Sequence, residues 1–277
     1  MSTANSLSTP APWDLVAEGY EAELVPVFEH FGRAIRARSG IDLALEQGRA
    51  VEVVDVACGP GTFVGLLPHD RVRVSAVDFS PAMVARLKER YPAVEAVVGD
   101  GQALPYEDGR FGHAVSIFGL IFFPDRAKGF AELHRVLRPG GVAGVSSWVP
   151  AERSRGLATL FAALRPIFGV SSESSTDPAP GMALSEPEDY HREMAAAGFV
   201  DIDVVEVAHT ARYANTDAML THFERTSAPV AMAKQAWGDR WRSMRAMVFS
   251  SLVGQLGTGP QELAMPALVG VGRKPSV

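Results

Sequence analysis

Residues 51–62 read VEVVDVACGPGT, a β-branched apolar run followed by a run of small residues. The first seven residues predict a strand covered on both faces, because a doubly buried strand has no need of polar alternation. The residues after it predict a tight turn whose backbone amides come close to a ligand, since glycine removes the side chain that would hold them apart. Cys58, the only cysteine of the chain, stands inside that turn. A nucleophilic cysteine needs a base and an electropositive setting. Asp55, Ala57 and Gly59 offer neither, so Cys58 reads as a small residue in a binding turn.

The same grammar repeats outward. VRVSAVD (72–78), VEAVVGD (94–100), HAVSIFG (113–119), GVAGVSSWV (141–149), VDIDVVEVAH (200–209) and MPALVGVGRK (265–274) read as further strands. Helical patterns separate most of them: a short TFVGLL (62–67), SPAMVARLKERY (80–91), DRAKGFAELHRVLR (125–138) stopped by PGG, and EDYHREMAAAG (188–198). Ser80 fits an N-cap with Pro81 at the first helical position. Strands alternating with helices at this spacing predict an α/β, Rossmann-like, doubly wound sheet.

Ahead of the first strand, Leu24, Val27, Phe28, Phe31 and Ile35 recur at helical spacing, and Pro26 marks a break or a helix start. Residues 1–40 are therefore expected to form an N-terminal helical cap, and 41–277 the main domain. Two insertions interrupt it, at about 150–186 and 214–260. The first holds the Ser-, Pro- and Gly-rich loop 169–187, the second a Met- and aromatic-rich helical stretch expected to act as a lid.

Composition narrows the function. The net charge of −6 argues against a dedicated nucleic-acid binder, which carries a clustered basic footprint. One cysteine allows no internal disulfide and no cysteine-rich metal site, and no H-E-x-x-H or C-x-x-C pattern occurs. No signal-peptide pattern opens the chain, and the longest apolar stretch, VSIFGLIFF (115–123), is too short for a span. A cytoplasmic protein without membrane insertion is expected; the oligomeric state is not legible.

In a parallel sheet the ligand sits beyond the carboxyl ends of the strands. Three such ends carry suitable groups: the glycine turn; Asp78, placed to accept from a ribose diol; and Asp100, with Gly101 and Gln102, placed to meet an adenine amino group. An adenosine-containing cofactor follows. The nicotinamide fingerprint is broken, because Val64 stands where the third glycine belongs. None of the five tyrosines has a lysine four residues on, and no G-K-[ST] occurs.

Taken together, VVDVACGPGT, VSAVDFSPAMV, GDGQALPYEDGRFGHAVSIFGLIFFPD and FAELHRVLRPGG resemble the ordered motifs of the class I S-adenosyl-L-methionine (SAM)-dependent methyltransferases, in particular the small-molecule, quinone-type group. The resemblance spans about residues 50–148. It implies a seven-stranded sheet with the last strand antiparallel and SAM as cofactor. Asp55, Ala57, Gly59 and Gly61 would cradle the methionine portion, Asp78 the ribose, Phe79 the adenine face. Asp100, Gly101 and Gln102 would wall the adenine edge, Phe118 and Gly119 would face the sulfonium, and Tyr20 would close over the cofactor. Ala57 departs from the glycine common in the family, a departure expected to be harmless at a negative φ.

The implied reaction is O- or C-methylation of a small aromatic or polyketide-like metabolite. Alternatives on the same scaffold are a SAM-binding cyclase or pericyclase and a non-catalytic SAM sensor. Acceptor deprotonation calls for a base. His209, at the end of the sixth strand, and His222, in the helical stretch, are the candidates. His30, His134 and His191 read as solvated helix residues. Phe122, Phe123, Trp148 and Tyr213 are expected to wall the acceptor pocket. No N-P-P-[YF] signature for nucleic-acid amines occurs.

Overall fold

Two helices, joined by one wide turn, and a third short helix precede the first strand in the computed structural model, which describes residues 7–168 and 184–276. Helix α1 (Ala11–Gly19) runs through a π-helical turn, Tyr20–Leu24, into α2 (Val25–Ser39), and α3 (Ile41–Glu46) follows. The π turn has a local cause. Pro26 has no N–H to return to the carbonyl of Ala22, and the Val25 N–H reaches back five residues to Tyr20. Pro26 therefore widens the helix without breaking it.

The sheet strands are β1 (Val51–Val56), β2 (Val72–Asp78), β3 (Glu95–Val98), β4 (Phe111–Ile117), β5 (Leu137–Trp148), β6 (Val200–Tyr213) and β7 (Gln261–Arg273). Between them lie α4 (Pro81–Arg90), α5 (Arg126–Val136), α6 (Arg155–Leu164), α7 (Pro187–Ala196), α8 (Thr216–Thr226), α9 (Ala228–Trp237) and α10 (Trp241–Leu256). The strand order is β3-β2-β1-β4-β5-β7-β6, parallel except for β7, which runs antiparallel to both neighbours. Chain direction reverses its walk across the sheet between β1 and β4, so a crevice opens there above the carboxyl ends.

The sheet is covered on both faces. Gly144 lies against Ile35 of α2, and on the opposite face Gly270 lies against Tyr190 of α7. A Cβ at either position would come within 2.4 Å of that partner, so both glycines are set by close packing. Phe31 and Ile35 are fully buried, which places α2 inside the main core, while α1 lies apart from it.

Several boundaries differ from the sequence reading. TFVGLL gives only a single 3-10 turn at Val64–Leu66. Strand β5 starts at Leu137, because a register shift between Phe111 and His113 lets the PGG segment join the sheet. Strands β6 and β7 form a long hairpin pairing up to Tyr213–Gln261. The helical stretch is three helices, broken at Ser227 and Gly238. Together with α6 they build a second apolar core containing Leu160, Met219, Val248 and Leu252, seated on Leu263 and Met265 of β7. Within the loop 169–187, residues 169–183 lie outside the described residues.

Helix α1 bridges the two cores. Asp14 accepts from the Ser80 hydroxyl and the Ala82 N–H at the start of α4, and Glu21 pairs with Arg86 at 2.7 Å. On its other side Gly19 touches α8, where a Cβ would sit 2.3 Å from the Arg225 carbonyl oxygen. Among the described residues no helix is long and apolar enough to cross a membrane.

Candidate functional site

A cavity of about 310 Å³ opens above the carboxyl ends of β1, β2 and β4. The turn after β1 forms its floor. Ala57 lines it with φ +55°, in the left-handed region, and not with the negative φ expected. Gly59 lines it too, at φ +53°. Ala57 stays there because its methyl occupies space that Gly119 vacates: a Cβ on Gly119 would fall 2.4 Å from that of Ala57. Gly61 does not reach the cavity. Its φ is +92° and its open side packs on Leu87 and Tyr91, so it serves the turn's contact with α4.

At the end of β2, Asp78 lines the cavity and is 6% exposed. Its Oδ2 accepts from the Gly59 N–H and its Oδ1 from the Ser80 N–H, each at 2.8 Å. Burial pushes its carboxyl up to about 6, against the lowering effect of those amides. Asp55 lies deeper in β1, 1% exposed, with Oδ2 lacking any hydrogen-bond partner. Burial and then the Asp78 charge push the Asp55 carboxyl well above the usual carboxylate range. Burial above all keeps the Tyr20 phenol protonated, with both carboxylates acting in the same direction.

The end of β3 contributes Asp100, Gly101 and Gln102. Asp100 Oδ1 accepts from the Gln102 backbone and side-chain amides at 2.8 and 3.1 Å, while Gln102 Oε1 accepts from the Asp125 N–H. Gly101 fits only as glycine, since a Cβ would stand 2.4 Å from the Phe123 ring. Phe79 adds an apolar wall after Asp78. Beyond β4, Phe118 holds φ +54° and Gly119 follows. Phe122 lines the cavity, with Trp13 of α1 packed edge-on against it at 4.8 Å between centroids.

Phe123, expected with Phe122 to wall a pocket, lines this cavity, whereas the sequence reading did not find Trp13 or Met83, which line it too. Their periodicity marks them as ordinary packing residues; only the placement of α1 across α4 brings Trp13 here.

Besides Gly61, four expected site residues lie elsewhere. His209 belongs to β6, four places from β1 in the sheet, and its ring stands 5.4 Å from that of His30 of α2. The reading chose the correct end of the strand; lateral position depends on strand order. Trp148 stacks on Phe118 at 4.0 Å and joins the core around Phe28 and Phe31, behind the cavity. Tyr213 and His222 pack together, 5.2 Å between rings, on the far side of the π turn. Nor do the helices 216–256 line the cavity, which α1 and Tyr20 cover instead. His134 is not solvated: its Nε2 is buried without a partner and its ring meets Phe199 edge-on.

Cys58 is 4% exposed, and burial, then Asp78 and Asp55, push its thiol well above the ordinary value. It cannot supply a thiolate near neutrality. Among the described residues no cluster of three His, Cys, Asp or Glu could hold a metal.

Fold and site thus define a Rossmann-like α/β protein with an acid-floored, aromatic-walled cavity at the sheet's switch point. A family described as a methyltransferase domain matches residues 53–141, from β1 into the start of β5. A demethylmenaquinone methyltransferase of Thermus thermophilus is 33% identical over 184 residues, covering 61% of this chain and 83% of that protein. Another, of Beutenbergia cavernae, is 41% identical over 143 residues, 50% of this chain and 54% of that protein. A Bacillus halodurans structure assigned as a methyltransferase superposes with a TM-score of 0.54 at 20% identity, over 84% of this chain and 98% of that one, which shows the shared fold. The chain belongs to the class I SAM-dependent methyltransferase family, in its quinone-type group. It spans 41% and 54% of the lengths of the Chlorobaculum tepidum and Beutenbergia cavernae relatives, about half.

Proposed function

We propose that this chain binds SAM in the cavity and transfers its methyl group to a small aromatic acceptor carrying a ring hydroxyl. The observation that carries the reading is the carboxylates of Asp78 and Asp100 in the cavity lining, with buried Asp55 behind them and no Lys, Arg or His among the lining residues. Such a site repels a pyrophosphate, which argues against nicotinamide or triphosphate ligands, and favours a ligand that is both cationic and aromatic. SAM has that chemistry: a sulfonium, an ammonium, a ribose diol and an adenine.

The residues present fit it. The unpartnered Oδ2 of Asp55 suits an ammonium or a bridging water, and the remaining lone pairs of Asp78 suit the diol. Asp100 and Gln102 offer an acceptor and donors to the adenine edge, Phe79 a face, and Gly59, Gly101 and Gly119 leave out the side chains that would block approach. Tyr20 closes the cavity beside Phe118. When bound, SAM supplies a methyl group on a strong electrophile. What remains for the protein is to align an acceptor and exclude water. The names of the demethylmenaquinone methyltransferase relatives support an aromatic, quinol-type acceptor.

One observation favours a second reading. A cavity of about 310 Å³ sits at the small end of ligand pockets, roughly 300–1,000 Å³. A pocket filled by the cofactor alone is what a SAM sensor would require. One experiment separates the two. The protein is incubated with deuterated-methyl SAM and a panel of phenols and naphthalenediols, and products are read by mass spectrometry. Label in an acceptor is expected; SAM binding by calorimetry without label in any acceptor favours the sensor, and no SAM binding overturns both.

A further inference from the structure

We propose that Glu132 and Arg135 of α5 are positioning residues: they hold the segment that carries Asp100 and Gln102 so that the cavity selects the amino group of adenine. This rests on the SAM-binding reading above and deepens it.

The segment 99–110 joins β3 to β4 and contains no helix or strand. It lines the cavity with Gly99, Asp100, Gly101 and Gln102. A loop of this kind has few backbone bonds of its own, so its precision comes from the elements it rests on. Helix α5 supplies two ties. At its start the Asp125 N–H donates to Gln102 Oε1 at 2.9 Å, while Gln102 Nε2 donates to Asp100 Oδ1 at 3.1 Å. Gln102 is thereby held between α5 and the carboxylate.

The second tie is an ion pair three residues apart on α5, where side chains share a face. Glu132 Oε2 accepts from the Leu104 N–H at 2.7 Å, and Arg135 donates to the Leu104 carbonyl at 3.1 Å. One ion pair thus grips both backbone polar groups of the residue two places after Gln102. Arg135 also donates to the Tyr106 carbonyl and to Asp108, each at 2.7 Å, and to the two oxygens of Glu132 at 2.7 and 2.8 Å. All five guanidinium N–H groups are used, in a planar fork that a lysine does not reproduce. The Arg135 hydrogen bond outweighs burial and holds the Glu132 carboxyl below its ordinary range, so the pair is ionised near neutrality.

What the two ties fix is the place of one carboxylate oxygen. Asp100 Oδ1 already accepts from the backbone and the side chain of Gln102, whereas Oδ2 has only a 3.4 Å contact with that side chain. Oδ2 is therefore the oxygen left for a donor on the ligand. Asp100 is exposed, and on a loose segment its carboxylate would turn to water as readily as to a ligand. A hydrogen bond that must first order its own acceptor loses much of its strength. Held in place, Oδ2 meets an amino group in a charge-assisted bond, worth about tenfold or more in affinity. Glu132 and Arg135 do not line the cavity, so they act only through the segment they hold.

The test uses the full chain and two ligands, S-adenosylhomocysteine and its analogue whose purine lacks the amino group, with affinities read by titration calorimetry. Wild type is expected to prefer the amino-bearing ligand by about tenfold or more. Glu132→Gln and Arg135→Lys are expected to reduce that preference below about threefold, with affinity for the deamino analogue within about twofold of wild type. A merely structural role would weaken both ligands together, or lower Tm with the preference intact, and either result overturns the proposal. A measurement on wild type alone covers variants that fail to fold. In the free protein the Leu104 amide should exchange with solvent as slowly as the interior amides of α5, and exchange at the rate of an open loop overturns the proposal. Wild type that binds S-adenosylhomocysteine without preferring it to the deamino analogue overturns this inference and leaves the SAM-binding reading standing. Wild type that binds neither overturns that reading as well.

Discussion

The Gly59 N–H donates to Asp78 Oδ2 across 2.8 Å, so the turn after β1 and the last residue of β2 are one unit. The contact holds a charged group in a buried place and leaves lone pairs for a ligand. It makes Asp78 the side chain on which both the shape and the affinity of the cavity depend.

Asp78→Ala should therefore weaken SAM binding strongly. Two charge-assisted hydrogen bonds lost to the ligand, at about 1.5–3 kcal/mol each, amount to a loss of about 100-fold or more. Titration calorimetry with circular dichroism checks it: unchanged affinity in a folded variant would remove Asp78 from the site.

The same carboxyl makes binding depend on pH. Burial raises the Asp78 pKa from 3.8 to about 6 in the free protein. A raised carboxyl pKa contributes stability below the unfolded value that is lost as pH rises through about 6, so ionised Asp78 is a strained state of the free protein. A ligand that donates hydroxyls to it favours ionisation. SAM affinity should rise from pH 5 to pH 7.5, with proton release near pH 6 visible as a buffer-dependent binding enthalpy. A flat profile would contradict this.

Ala57 and Gly119 should behave as a coupled pair. Ala57 holds φ +55°, where an alanine is strained, so Ala57→Gly is expected to stabilise the fold by about 1 kcal/mol, read as a rise in Tm of roughly 2–4 °C. Gly119→Ala pushes a methyl to 2.4 Å from the Ala57 Cβ and should reduce SAM affinity at least about tenfold. In the double variant Ala57→Gly/Gly119→Ala the clash with Ala57 is gone, leaving the Ser116 hydroxyl at 2.7 Å. Part of the affinity should return, and additive losses in a double-mutant cycle would show that the two do not share that space.

Cys58→Ser and Cys58→Ala should leave methyl transfer within about tenfold, roughly 1.4 kcal/mol of barrier. The thiol is buried and protonated, and the native protein should resist a thiol-specific chromogenic reagent until denaturant is added. Inactivation with intact SAM binding would reopen a nucleophilic role.

Much of the architecture was legible because its causes are local. The valine run 51–56 with small residues behind it can only be a buried strand and a tight turn, and Asp78 and Asp100 fall at strand ends wherever those strands lie. Ala57 shows where local reading stops. Its positive φ arises from the close approach of Gly119, 62 residues on, and no propensity at position 57 reports it. Trp13 is similar: its partner Phe122 is known only once α1 lies against α4.

By itself the sequence determined the alternation of strands and helices, the glycine turn and the acidic strand ends, because each depends on residues adjacent along the chain. Only the tertiary structure decided which ends meet. Strand order carries β6 and His209 to the far edge, while the π turn forced by Pro26 sets Tyr20 in the cavity wall and Glu23 beside His222. Such contacts join residues up to 199 positions apart, as Glu23 and His222 are, and are fixed by packing of whole elements, which no local pattern encodes.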